Sequence, residues 1–264
     1  MKNRNMPLLK LLRYSLVILA CFLCLSQPGF SGELSDFEHD ATRNEDNSRS
    51  ENGDHEHHEH HGFWYSFFDA LFDTVIVGGG EMSWHRVKGT PYQYAEFLKP
   101  RQSGEALIPF FRTDGEYQNV IGDISAYSLR AEGGYGSWGI QARNTRYKEK
   151  NPADKLDYFQ IYGLYRMSFG NHVEMDLGLG SSTLKGKGRN SGISFTMPVL
   201  IHPNKLIGFE LRPSWTDING SGVSDWDFGM DLNYRYTAVR IGYRWVHSRH
   251  EELSGPYVGI SFRF

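Results

Sequence analysis

The chain has 264 residues, enough for one sizeable domain with appendages. Its formal net charge of −3 supplies no basic field for nucleic acid. Mean hydropathy is −0.50, and past the first thirty residues no apolar run approaches the ~20 residues of a membrane helix.

Residues 1–31 read as a secretory signal. Lys2, Arg4, Lys10 and Arg13 form a basic start, and Leu16 to Leu25 form a short apolar core. Small residues follow at Ser26, Gly29 and Ser31, so cleavage is expected near 26–31. Both cysteines, Cys21 and Cys24, lie inside this stretch, so its removal leaves no disulfide framework and no thiol nucleophile. Leu19 stands where a lipid-attachment motif at Cys21 would have a small residue.

Residues 32–62 carry ten acidic residues, two arginines and six histidines. No apolar period is evident, so this acidic, His-rich stretch is expected to be a disordered linker. It ends in His55, His57, His58, His60 and His61, interleaved with Glu56 and Glu59. Imidazoles beside carboxylates suit divalent zinc, nickel or copper, but no fixed spacing builds a site. The expectation is a solvated tether with adventitious divalent-metal affinity and no resident cofactor.

Residues 63–77 place Trp64, Phe68, Leu71, Phe72 and Val75 on one helical stripe, which predicts an amphipathic helix. Gly78-Gly79-Gly80 is expected to break it. Residues 78–104 then read as a connecting segment, loop-like from 81 to 103.

From about residue 105 the period becomes two. Ten strands are expected: 106–118, 122–132, 135–147, 157–169, 172–181, 191–201, 205–216, 225–236, 237–247 and 255–264. Pro109 weakens the first, and eight strands is the alternative. Short connections alternate with longer ones at 148–156, 182–190, 217–224 and 248–254. Parity sends Phe111, Tyr127, Leu129, Ile161, Met167, Ile193, Phe228 and Trp245 to one face. It sends Arg112, Asp114, Glu116, Arg130, Glu132, Arg143, Arg166, Glu174, Asp176, Glu210, Arg212, Asp227, Asp231, Arg235, Arg240, Arg244 and Arg263 to the other. Nine positive charges meet eight negative ones, so an enclosed face can neutralise itself by pairing.

The last ten residues, Gly255 to Phe264, alternate apolar Val258, Ile260, Phe262 and Phe264 with Tyr257, Gly259, Ser261 and Arg263. This tail resembles the C-terminal signature of bacterial outer-membrane β-barrel proteins. The resemblance implies an all-β fold: a closed antiparallel transmembrane barrel over residues 105–264, monomeric, with a short N-terminal helix. It implies recognition of the strand ending in Phe264 by the barrel-assembly machinery. It also implies a place among outer-membrane lipid and lipopolysaccharide, with both termini periplasmic.

The expected role is a non-enzymatic envelope component, or a narrow channel with an ion-paired lumen. Lipid A palmitoyltransferases and deacylases, phospholipases and omptin-type proteases resemble the chain in size. They raise the alternative of an outer-rim active site at His247, Ser248, His250 and Glu251, with Asp217, Ser221, Ser224 and Asp225 on a neighbouring loop. No such family's motif matches residue by residue. A third alternative is a metal-uptake accessory acting through the His-rich linker. His172 and His202 are expected at the surface, in turns.

Overall fold

The structure, a computed structural model, describes residues 32–42, 76–88 and 111–263, leaving out 152, 170, 171, 205 and 235. Strands β1 (Phe111–Val120), β2 (Ile124–Tyr135), β3 (Trp138–Glu149), β4 (Asp154–Phe169) and β5 (Val173–Lys185) run as a meander. They are followed by β6 (Arg189–Thr196), β7 (Val199–Ile201), β8 (Ile207–Ile218), β9 (Ser221–Tyr234), β10 (Thr237–His247) and β11 (Glu252–Arg263). Every pairing is antiparallel. β11 returns to pair with β1, from Arg112 opposite Arg263 to Gln118 opposite Tyr257, and the sheet closes without an edge.

β6 and β7 occupy one position in the wall, since both pair with β5 and with β8. The wall is therefore ten strands wide. The expected strand 191–201 is interrupted at Met197-Pro198, where Pro198 has no N–H to give the ladder. The ladder is partly restored there by Met197 N–H donating to Pro213 O at 3.2 Å and Asp176 N–H to Pro198 O at 2.9 Å. Pro109 and the start of the expected first strand lie outside the described residues.

The two kinds of connection differ less than the composition suggested. At one end the links between paired strands are Ile121–Asp123, Lys150–Ala153, Gly186–Gly188, Asn219–Gly220 and Ser248–Glu251. At the other they are Gly136–Ser137, 170–172, 202–206 and 235–236. The polar stretches read as long loops continue as strand, because hairpin pairing satisfies their backbone in solvent too. Asp217 belongs to β8, and Ser221, Ser224 and Asp225 belong to β9, rather than to a loop.

Two helices correct the reading of the N-terminal third. Within the stretch expected to be disordered, α1 (Glu33–Thr42) is helical. Leu34, Phe37 and Ala41 recur at helical spacing and are buried. Across the triple glycine and the segment expected to be loop-like runs α2 (Gly78–Lys88). Here glycine is tolerated because the helix must approach β4 closely. A Cβ on Gly79 would sit 2.7 Å from the Met167 Cβ, and one on Gly80 2.0 Å from the Tyr165 hydroxyl. The expected helix at 63–77 lies almost wholly outside the described residues.

The exterior is apolar. Leu129 is 62% exposed and Ile193 74%, with Phe228, Val239, Ile260 and Phe262 also outside. Met167 has the outward parity but is 1% exposed, because α2 covers it. Aromatic pairs gather toward one rim, with Tyr117 and Tyr127 centroids 5.2 Å apart and Trp215 and Trp226 5.7 Å apart. Trp138 and Tyr165, 5.3 Å apart, mark the other. None of the described helices is long and apolar enough to cross a membrane, which says nothing of strands.

Leu129→Arg is expected to destabilise the folded barrel in bilayers by about 2–4 kcal/mol, the cost of an outward arginine near mid-membrane. Urea unfolding in lipid vesicles measures it. A shift below 0.5 kcal/mol would show that this face does not meet lipid.

Candidate functional site

The interior has two layers, and strand parity builds both. In the first, arginines from β1, β2, β8 and β10 converge on Glu210 of β8, which is 1% exposed. Arg112 of β1 holds it in a fork, Nη1 donating to Oε1 at 3.2 Å and Nη2 to Oε2 at 2.7 Å. Arg130 of β2 donates to Oε1 at 3.1 Å, and Arg240 of β10 donates to Oε2. Arg212 lies 3.0 Å from Oε1, but its guanidinium has no aligned hydrogen bond. Its attraction there is of charge alone.

The other carboxylates extend the lattice. Asp114 accepts from Arg112 and Arg130, and Asp231 pairs with Arg263 and Arg240. Asp227 accepts from Arg143 at 2.9 Å and from the Tyr257 hydroxyl at 2.7 Å. Glu116 accepts from Arg143 at 2.8 Å, and Glu132 pairs with Arg166. Glu174 and Asp176 are buried beside that last pair, lining a small cavity with Glu132 and Arg166. Each charge read as inward from parity is buried, save Arg235, which lies outside the described residues. Asp225 joins them: Arg244 forks onto it at 2.8 and 2.6 Å. It shares the parity of Asp227, so the signal was present. The sequence sets it at the boundary between the connection 217–224 and the strand 225–236, among loop-like neighbours.

Beside the ions runs a hydroxyl network. Tyr162 and Ser194 meet at 2.7 Å, Ser194 and Thr216 at 2.8 Å, and Thr216 donates to Ser182 at 3.1 Å. The lumen cross-section is thus filled by side chains bonded to one another.

The second layer lies at the end of the cylinder reached by Val120 and Leu253. There the inward positions turn apolar: Val120, Ile124, Ala126, Tyr147, Leu156, Tyr158, Leu184, Ile218, Val223, Val246 and Leu253 form one buried cluster. Leu34, Phe37 and Ala41 of α1 complete it. A water-facing mouth has no use for such a collar unless something covers it, and α1 does. Burying the Leu34 and Phe37 side chains stabilises the docked helix by about 1.5–3 kcal/mol each.

Polar groups of α1 tie it to hairpins around the rim. Glu38 accepts the N–H groups of Lys187 and Gly188, both at 2.8 Å. Lys187 Nζ donates to Ser35 Oγ at 2.6 Å, and Ser221 Oγ to Asp40 O at 2.9 Å. Asp40 receives the Ser248 hydroxyl at 2.5 Å, the His250 N–H at 2.8 Å, and lies 3.1 Å from His250 Nδ1. Burial pushes the Asp40 carboxyl up, but the bonds from Ser248 and His250 and the nearby imidazole outweigh it. They hold the carboxyl well below the usual carboxylate range.

These contacts decide where the sequence-derived candidates stand. Ser248 is buried and spends its hydroxyl proton on Asp40, and the His250 ring turns to the same carboxylate. His247 is exposed, paired across the sheet with Ser224 and Glu252. Glu251 contributes its carbonyl to the Ser248 N–H at 2.9 Å. Ser248 and His250 thus share Asp40 and are not aligned as a nucleophile and its base. His202, expected at the surface, is buried, with its N–H on His172 O at 2.6 Å. His55 to His61 lie outside the described residues. Among the described residues no three His, Cys, Asp or Glu are grouped to hold a metal. Gly32 and Arg263 lie at opposite ends of the cylinder.

In architecture the chain is a closed antiparallel barrel ten strands wide, with an apolar exterior and an ionic interior. No family model matches it, and no curated protein matches it. Among solved structures, a KdgM porin is similar at 9% identity and a TM-score of 0.35, over 58% of this chain and 99% of that one. The KdgM porin in complex with disordered oligogalacturonate gives the same values. A loop L8 deletion mutant of OmpT, an outer membrane protein of Vibrio cholerae, is similar at 9% identity and a TM-score of 0.32, over 57% of this chain and 62% of that one.

Glu210→Ala is expected to cost about 3–5 kcal/mol, since it strands several buried guanidinium groups. Arg212→Met is expected to cost far less, because that guanidinium makes no aligned hydrogen bond. Urea titration of the two variants gives the comparison, and equal costs would contradict the geometry.

The Asp40 contribution has a defined sign with pH. A depressed carboxyl stabilises docking fully above its ordinary value of 3.8 and loses that stabilisation as pH falls toward the lowered one. Proteolysis at α1 is expected to accelerate below about pH 4 in the natural chain. Asp40→Asn should be the more readily cut already at pH 7, with a smaller further change on acidification.

Proposed function

We propose that the protein is a non-conducting outer-membrane barrel, serving as a structural envelope component rather than as an enzyme or an open pore. The observation that carries this reading is the filled cross-section around Glu210, where guanidinium, carboxylate and tyrosine groups bond to one another. A solute would have to break several buried ion pairs to pass, each with partners it could not replace. The α1 plug adds a second closure at one mouth.

The apolar exterior with aromatic rims supports residence in lipid. The proposed surroundings are outer-membrane lipid and lipopolysaccharide, and the proposed route is the barrel-assembly machinery gripping β11. The non-enzymatic reading is supported by the Asp40 contacts, which occupy the hydroxyl and imidazole that a hydrolase or acyltransferase would need free.

Purified protein in planar bilayers is expected to give no discrete conductance steps, and Phe37→Asp, which unseats α1, is expected to remain silent because the ionic layer persists. Steps of porin size from the natural chain would overturn the reading. Lipid A mass spectra should be the same with and without the protein; an added or lost acyl chain would make it an enzyme.

A further inference from the structure

The start of α1 meets a carboxylate that has no counter-charge among the described residues. Glu149, the last residue of β3, is 4% exposed. Its Oε1 accepts the Gly32 N–H at 2.7 Å and its Oε2 the Leu34 N–H at 3.3 Å. Among the described residues, no arginine or lysine pairs with it. The buried carboxylates around Glu210 all face guanidinium groups. A buried carboxylate held only by neutral donors is costly, and a cation at the same place removes that cost.

A further feature converges on Gly32. Upstream, Gly29 and Ser31 stand third and first before it, the small-x-small spacing at which a secretory signal is cut.

We propose that signal peptidase cuts between Ser31 and Gly32, and that the amino group released is the missing cation for Glu149. Water adds across the peptide bond. Ser31 leaves as the carboxylate end of the leader, and the Gly32 nitrogen gains protons to become an ammonium. That nitrogen already lies within bonding distance of Glu149, so it gains charge without moving. Removal of the leader thereby fastens α1 into the apolar collar. A chain cut elsewhere presents Glu149 with a neutral amide or with nothing.

Intact-mass measurement and N-terminal sequencing of protein extracted from outer membranes come first. A chain starting at Gly32 with a free amine is expected. Any other start, or a lipid on Cys21, overturns the proposal. The second measurement follows hydrogen exchange of the Leu34–Ala41 amides in full-length mature protein, with Gly32 free or acetylated, each with Glu149 or Glu149→Gln. Acetylation is expected to speed exchange roughly tenfold, the effect of one pKa unit of interaction, in the Glu149 protein and to change little in Glu149→Gln. Equal effects in both backgrounds overturn the pairing. A third readout needs no variant: acylation of the Gly32 amine by a soluble active ester should be at least tenfold slower folded than in urea, and equal rates overturn it.

Discussion

A guanidinium that can reach neither water nor a carboxylate costs several kcal/mol, and the interior of this barrel is built around avoiding that. Glu210 is the meeting point. It takes arginines from β1, β2 and β10 onto two oxygens. β8 lies across the ring from β1 and β2, so the ion lattice ties the wall across its diameter as well as around its circumference. Once inward positions are ionic, outward ones must be apolar, and alternation along each strand does both at once. The apolar exterior and the filled lumen are thus two faces of one constraint.

The interior is layered because its two ends have different neighbours. Around Glu210 the side chains find partners among themselves. Toward Val120 and Leu253 the inward residues shed their charges and form a collar, and α1 supplies the surface they need. The polar side of the helix is used too: Glu38 and Asp40 take backbone N–H groups from hairpins on opposite sides of the rim. The contacts that draw Ser248 and His250 to Asp40 explain why residue types suited to catalysis occur there without its geometry.

How much of this could be read from residues alone follows from where each signal lives. Alternation is a property of a single strand, so Arg112, Asp227 and Arg244 could be assigned to the inside without knowing their partners. Strand ends are a weaker signal. Ser182 to Lys185 and Ser221 to Asp225 have loop-like composition, yet hairpin pairing carries the sheet through them. The helix α1 shows only three apolar residues in an acidic stretch. Its partner, the collar, becomes visible only when the last inward residues of many strands are compared at once. The triple glycine of α2 is a local break signal that lost to packing: only residues without a Cβ let that helix lie on Met167 and Tyr165. Asp225 was missed because its neighbours look like a turn, although its parity matched Asp227.

The seam between β1 and β11 has a consequence in time rather than in space. Its partners, such as Arg112 and Arg263, stand roughly 150 residues apart in the chain. Every other ladder can form as its hairpin emerges, but this one waits for the final strand. Until then the growing sheet carries two open margins that lipid cannot satisfy. The seam is therefore the last ladder the chain can complete, and both margins persist until β11 meets β1.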